Sequence, residues 1–388
     1  MQFLEASIGA SFAICIPGGR QIHLLNEIGR DLLSLYQRFD GEEPHRALSD
    51  TIATRYGLDC ASASIQAAAV LAMWQTAGLI AAEPGYTVAG PSENWVIPLP
   101  ASGGLDAAEI SISLLGYGFG LYIGDESLRA CVLRTLSNLK VSGTGHRSHK
   151  LRIVGDHNKW TLFLNDEAQS AGSTADDAAL NVLGCLIDLA CRAEERLLVV
   201  HGAGLTLPDG TGLLLCAPGG SGKTTLATAL NAAGLGLLSD DLVPVDMDGN
   251  LLSIHTPICL KPGSWGVVSA CRADVLDAVI VLRQGSPVRL LAPVSVSSAT
   301  AVKPRLMVFP RYEPGKPPVC RPASPEESLQ RIIEAGSVIR DLTQAKLRLL
   351  TQWVSAIPAF VISYPDLEAA TEQVRLLLKS GNGRKSVV

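Results

Sequence analysis

The sequence predicts a mixed α/β protein: a core built around a glycine-rich loop, preceded by a small winged-helix-like α+β domain. Three observations predict it. An apolar run, Leu213 to Cys216, leads into the small-residue loop Ala217-Pro-Gly-Gly-Ser-Gly222 and then into good helix formers from Thr224 to Ala233. Short apolar runs and helical periodicities alternate on both sides of that loop, which is the pattern of a sheet covered by helices. A hairpin signal followed by three helical stretches fills residues 1–83.

Composition narrows the classes. A chain of 388 residues has room for two or three domains with cores of their own. Hydrophobic residues at 47% and charged residues at 18% describe a folded chain, not a disordered one. A net charge of −5 offers no basic face, so nucleic acid is not the expected partner. The cysteines are scattered, with no C-x-x-C pair. That argues against a zinc site or a disulfide framework and fits a reducing cytosol. Met1-Gln-Phe-Leu-Glu5 lacks a basic region ahead of an apolar stretch, and no apolar run has the length of a membrane span. The expectation is a cytoplasmic protein with no membrane contact.

Within residues 1–83, Phe12–Ile16 and Gln21–Leu25 read as a hairpin across Pro17-Gly-Gly-Arg20. Asn26 caps a helix from Glu27 to Phe39, where Ile28, Leu32, Leu33, Leu35 and Tyr36 recur at helical spacing. A second helix spans Pro44–Tyr56, closed by Gly57. A third runs from Ala61 to Thr76 with Ile65, Val70, Leu71 and Trp74 inward, closed by Gly78, and Leu79-Ile80 adds a short strand. The hairpin, Leu24-Leu-Asn-Glu-Ile-Gly29 and Trp74-Gln-Thr-Ala-Gly-Leu-Ile80 together resemble the PqqD family of peptide chaperones, which also serve as leader-recognition elements in the modification of ribosomally made peptides. The resemblance covers about a fifth of the chain. It implies a precursor peptide as partner, its leader bound by residues 1–83. The physical means would be strand addition to an open sheet edge.

Residues 84–94 cluster Pro84, Gly85, Gly90, Pro91 and Ser92 and read as a linker. Residues 95–170 read as a small β-rich subdomain. Glu109–Leu115 alternates as a half-buried strand, Phe119–Ile123 is another, and Glu126–Leu136 is a helix. Lys150–Val154 and Trp160–Leu164 form a hairpin across Gly155-Asp-His-Asn158, while Gly143–Lys150 reads as an exposed loop. Residues 171–388 form the core. Asp176–Arg192 is an apolar-periodic helix, and Leu197–Val200 is a strand that delivers His201 to its end. Asp209-Gly210 turns the chain into the strand before the loop.

Strand, glycine loop and helix together are the context that a phosphate-binding loop requires. Glycines let backbone N–H groups turn inward around phosphate oxygens, and the helix start adds partial positive charge. Pro218, Gly219, Gly220, Ser221, Gly222, Lys223, Thr224 and Thr225 are the expected nucleotide-binding residues. Lys223 would reach the β- and γ-phosphates, and Thr224 would place its hydroxyl on Mg²⁺. The first glycine of the usual G-x-x-x-x-G-K-[ST] pattern is Ala217 here, the smallest replacement that carries a Cβ.

One helix beyond Lys223, Ser239-Asp240-Asp241 ends a strand. Neighbouring aspartates on an extended chain point to opposite sides, so one carboxylate can hold Mg²⁺ while the other faces an acceptor hydroxyl. His201, one strand before the loop, would hydrogen-bond an aspartate and tune it.

Val200-His201-Gly202, Pro218-Gly-Gly-Ser-Gly-Lys-Thr-Thr225 and Ser239-Asp240-Asp241 stand in the order seen in HPr kinase/phosphorylase and its relatives, and the chain resembles that family in patches over 95–375. The resemblance implies a phosphoenolpyruvate-carboxykinase-like fold, ATP and Mg²⁺, and phosphorylation of a hydroxyl. It implies Thr224 and Asp240 on the metal, Lys223 on phosphate, Asp240 and Asp241 sharing the metal and base roles, and His201 beside the base. It also implies homo-oligomers, since dimers and hexamers occur among relatives. The glycine- and glutamate-rich second signature that accompanies phosphorolysis is not found. Thr256–Gly263 and Val308–Gly315 match better the members joined to a PqqD-like domain.

In the remainder, Arg305–Phe309 is a strand, and Arg311 beyond its end would reach phosphate and offset transferred charge. Lys261 stands at the end of another apolar run. Leu329–Ala345 and Lys346–Val354 read as helices, Phe360–Ser363 as a strand, Leu367–Leu378 as the last helix, and 380–388 as a frayed tail. The combined expectation is a kinase acting on serine or threonine of a recruited peptide. The alternatives are a kinase of a small molecule such as free serine, a kinase of an HPr-like carrier protein, or an ATP-binding peptide chaperone without phosphoryl transfer.

Overall fold

The computed structural model describes residues 3–17, 21–38, 44–80, 109–137, 139, 147–192, 195–283 and 285–380. The hairpin turn at 18–20, the linker at 84–94, much of the loop expected at 143–150 and the tail at 381–388 lie outside the described residues. The chain is mixed α/β, with four sheets among the described residues. It divides into two compact units: the described residues of Met1–Val96 with Ser324–Gln330 and Arg340–Ala356, and those of Ile97–Ala323 with Arg331–Ile339 and Ile357–Val388.

The first unit has a three-stranded antiparallel sheet, Leu4–Ile8, Ser11–Cys15 and His23–Leu25 in that order. The strand Leu4–Ile8, absent from the sequence reading, alternates apolar Leu4, Ala6 and Ile8 with polar Glu5 and Ser7 and buries Ala6 and Ile8. Its outer edge is taken by Gln344, on the helix Gln344–Ala356: the Glu5 N–H donates to the Gln344 side-chain oxygen at 2.9 Å, and the Gln344 amide donates to the Glu5 carbonyl. Three helices follow as expected, at Glu27–Arg38, Pro44–Tyr56 and Cys60–Thr76. Asn26 caps the first, accepting from Gly29 N–H at 2.8 Å, and Asp59 caps the third.

Two expectations fail here. Ile65 is 68% exposed. The inward stripe of the third helix is Ala63, Ala67 and Trp74, and a residue two places along from Ala63 lies about 200° round the helix. Leu79 and Ile80 form no strand. Their N–H groups return to the Trp74 carbonyl at 2.8 and 3.4 Å, and their side chains are buried in the helix core.

In the second unit a five-stranded sheet runs Ile110–Leu114, Tyr117–Ile123, Arg147–Asp156, Lys159–Leu164 and Glu167–Gly172. The helices Glu126–Thr135 and Ala175–Arg192 cover it around Phe119, Leu151, Trp160 and Leu186. Arg147–Lys150 is strand, not loop, because it pairs in parallel with Gly118–Gly120. Glu167–Gly172 is an edge strand of small and polar residues, which carries no apolar alternation to read.

The largest sheet holds nine strands. At its centre Gly212–Cys216 lies between Leu198–Thr206, antiparallel, and Pro304–Tyr312, parallel, and Pro304–Tyr312 is in turn parallel to Ala359–Tyr364. Gly212–Cys216 is buried along its whole length, which is why it reads as a continuous apolar run. Leu213, Leu215, Leu226, Leu230, Val308 and Ile362 pack together beneath the loop. Burying each such side chain contributes roughly 1.5–3 kcal/mol, so strand and loop helix are held in fixed relation. Asp209-Gly210 makes the expected turn, with Gly210 at φ 80°.

Two more expectations are corrected. The helix expected over Leu329–Ala345 stops at Glu334, where Gly336 takes φ 86° and Val338 exchanges backbone hydrogen bonds of 2.8 Å with Val199. The strand holding His201 runs on to Thr206, so His201 lies within it and not at its end. Gly202 permits this close pairing, since a Cβ there would stand 2.3 Å from the Leu215 carbonyl oxygen. Among the described residues no helix is long and apolar enough to cross a membrane.

Candidate functional site

The loop joins the central strand to the helix Lys223–Ala232. Gly220 and Gly222 have φ of 83° and 92°, the left-handed region that favours glycine. Gly222 is constrained twice, because a Cβ there would meet the Tyr364 hydroxyl at 2.5 Å. That hydroxyl donates to the Ser221 carbonyl at 3.1 Å and anchors the loop to the strand Ala359–Tyr364. A side chain at Gly219 or Gly220 would meet nothing within 4 Å, so the outer face of the loop is an open cradle. Pro218, Gly219 and Gly220 are exposed, and the buried Ser221 Oγ has no hydrogen-bond partner among the described residues.

Lys223 is 7% exposed. Its ammonium donates to the Ala217 carbonyl and, at 3.1 Å, to the Pro218 carbonyl. Burial lowers its pKa. Thr224 Oγ1 donates to Asp240 Oδ1 at 3.2 Å. Thr225 follows in the same first turn, half-buried.

Asp240 and Asp241 lie between Gly236–Ser239 and Leu242–Val245, and both of those strands pair with the strand that holds His201. The chain is not extended there. Asp241 has φ 74°, and this left-handed turn, not strand alternation, parts the two carboxylates. Asp240 is 5% exposed and also accepts from Cys259 N–H at 3.4 Å. Burial, reinforced by the neighbouring charge of Asp241, pushes its pKa up to about 6. Asp241 lies at the surface side of the turn. Its Oδ1 is 3.3 Å from His201 Nε2 and its Oδ2 accepts from Arg283 at 3.0 Å. The His201 hydrogen bond first, and then Arg283, hold it well below the usual carboxylate range. His201 Nδ1 meets the Ala335 carbonyl at 2.7 Å, and its N–H donates to Ser337 Oγ at 3.1 Å. Both ring nitrogens thus face oxygen atoms, which fix the orientation of the ring.

Arg283 is the residue that the sequence reading missed. It ends the strand Ile280–Arg283 of a separate three-stranded sheet. The signal was present, since a cation closes an apolar run just as at Lys261 and Arg311. Arg311 is not drawn in, and Lys261 reaches the loop only through its charge, which adds to the effect of burial in lowering the Lys223 pKa. Arg311 lies inside the strand Pro304–Tyr312, exposed, with Glu313 3.5 Å away. Among the described residues the Lys261 ammonium makes no hydrogen bond to the loop or the aspartates, and Lys261 precedes the short helix Pro262–Val268.

Among the described residues no group of three or more His, Cys, Asp and Glu could hold a metal ion. Thr224 and Asp240 offer two hard oxygen donors. Mg²⁺ suits such a pair, since it keeps waters and takes phosphate oxygens for the rest of its shell. The open cradle, the orphaned Ser221 hydroxyl and the buried Asp240 fit a nucleotide phosphate with its metal.

No family model and no curated protein matches the chain. Among solved structures the chain is similar to the Hpr(Ser) kinase/phosphatase from Coxiella burnetii, at 14% identity over 47% of this chain and 93% of that one, with a TM-score of 0.24.

Proposed function

We propose that the chain is an ATP- and Mg²⁺-dependent kinase that phosphorylates a serine or threonine hydroxyl of a ribosomally made peptide, recruited through the PqqD-like residues 1–83. One observation carries the kinase reading: the Thr224 hydroxyl rests on the buried Asp240 carboxylate at the mouth of a glycine loop, with Asp241 held beside it by His201 and Arg283.

Loop amides and Lys223 would hold the phosphates, Lys223 exchanging its two loop carbonyls for phosphate oxygens. Thr224 and Asp240 would hold Mg²⁺, which when bound supplies charge that offsets the phosphate oxygens. Asp241, 43% exposed at its side chain, is the carboxylate that an acceptor can reach. It would orient the acceptor hydroxyl and take its proton as the new oxygen–phosphorus bond forms and the bond to the departing nucleoside diphosphate breaks. A carboxylate with so low a pKa is a weak base, which suits a loose transition state where the proton leaves late. His201 and Arg283 fix its orientation.

For peptide recruitment, the Leu4–Ile8 edge is engaged by Gln344, so strand addition falls to His23–Leu25, which pairs with Ser11–Cys15 on its other side. Labelled ATP and a precursor peptide encoded beside the gene test the reading. Wild type should label the full peptide, label a leaderless one far more slowly, and lose both activities on Lys223→Ala. An unlabelled full peptide, or labelling that survives Lys223→Ala, would contradict it.

A further inference from the structure

Within the first unit, the strand Leu4–Ile8 and the helices Glu27–Arg38 and Gln344–Ala356 enclose a cleft of about 610 Å³. That lies within the roughly 300–1,000 Å³ of small-ligand sites. Its floor is apolar, with Ile14 and Leu33 at 2% and 1% exposure. Its rim is polar. The charged groups on the lining are Glu5, Arg30 and Arg348, two guanidiniums to one carboxylate.

The two arginines differ. Arg30 is engaged: it donates to Asp31 at 2.8 and 3.3 Å, stands 3.7 Å from Glu5, and lies over the Phe12 ring at 4.3 Å. Arg348 has no acidic partner among the described residues, and its guanidinium makes no hydrogen bond there. The surplus positive charge of the cleft therefore sits on Arg348. Gln352 stands one helical turn further on, hence on the same face of its helix, and Ser34 stands across from it on Glu27–Arg38. Neither side chain has a hydrogen-bond partner among the described residues.

We infer that this cleft binds a carboxylate. Arg348 pairs with it through its forked N–H groups, Gln352 and Ser34 supply further hydrogen bonds, and Ile14 and Leu33 take the hydrocarbon stem. A free dicarboxylic acid and the acidic side chain of a peptide present the same chemistry. The site is independent of the kinase reading, and its test uses no nucleotide.

Isothermal titration of the full chain with glutarate and with tetraglutamate tests it. At least one probe should bind with one site per chain. Binding of glutarate identifies a small-molecule source, and binding of tetraglutamate alone identifies a peptide. Arg348→Gln should weaken that binding at least about tenfold, and Ser34→Val should weaken it less. Arg375→Gln, on a helix outside the cleft, should leave it unchanged. Thermal unfolding at the wild-type temperature would show that the Arg348 and Ser34 variants are folded. Failure of both probes to bind wild type overturns the inference. So does a folded Arg348→Gln that binds as wild type does.

Discussion

Asp240 and Asp241 share one turn, yet the fold gives them opposite surroundings. Asp240 faces inward, 5% exposed, with a threonine hydroxyl and a backbone N–H for partners, and its pKa is pushed up to about 6. Asp241 faces outward between His201 and Arg283, and its pKa is held far down. Identical side chains thus become a carboxylate short of positive charge and one already supplied with it. The first can take a cation as a further partner. The second is anionic at every working pH and is aimed by its partners. The single left-handed residue at position 241 makes the difference, because it turns the second carboxylate away from the pocket of the first.

The largest effect should come from the outward carboxylate. Asp241→Asn keeps the shape and removes the charge, and transfer should fall roughly 100- to 10,000-fold, measured with labelled ATP in single turnovers. Nucleotide affinity should stay close to wild type.

The inward carboxylate should show itself in stability without nucleotide or metal. Its folded pKa, about 6, lies above the ordinary aspartate value of 3.8. Between those values the folded state holds more protons than the unfolded one. Stability from this group is therefore greatest near pH 4 and falls as pH rises through 6, by on the order of 2–3 kcal/mol. Asp241 behaves in the opposite sense, adding stability above the ordinary carboxylate range and losing it in stronger acid. Urea unfolding between pH 4 and 7 should show the slope in wild type and its loss in Asp240→Asn.

Arg283→Gln removes one partner of Asp241 and should cost about tenfold in transfer, in line with one charge-assisted hydrogen bond. Because a cation is lost, the Asp241 pKa should rise. With the His201 hydrogen bond, the larger cause, still in place, Asp241 stays ionised at pH 5, so the loss should be the same at pH 5 and at pH 8. The smallest effect is expected at the loop anchor. Tyr364→Phe deletes the bond to the Ser221 carbonyl and should lower nucleotide affinity by a few-fold, about 1 kcal/mol.

Much of this region was legible in the sequence. The continuous apolar run at Leu213–Cys216, the glycines and the helix formers after them forecast strand, loop and helix, and Asn26 and Asp209-Gly210 marked a cap and a turn through local chemistry alone. What failed depended on distant partners. Arg147–Lys150 becomes strand because Gly118–Gly120 offers it an edge. His201 lies within a strand because Leu242 continues the pairing opposite it. The helix after Leu329 ends early because Gly336 turns and Val338 finds Val199. Arg283 reaches Asp241 from a position 42 residues away in sequence, and no local pattern ranks it above Arg311 or Lys261.

The central claim is the division of labour between the two aspartates. Titrating ATP onto Asp240→Asn and Asp241→Asn, with and without Mg²⁺, tests it most directly. The account predicts that Mg²⁺ strengthens ATP binding to wild type and to Asp241→Asn, and that this strengthening is lost in Asp240→Asn. Equal Mg²⁺ dependence in the two variants, or its loss only in Asp241→Asn, would contradict it.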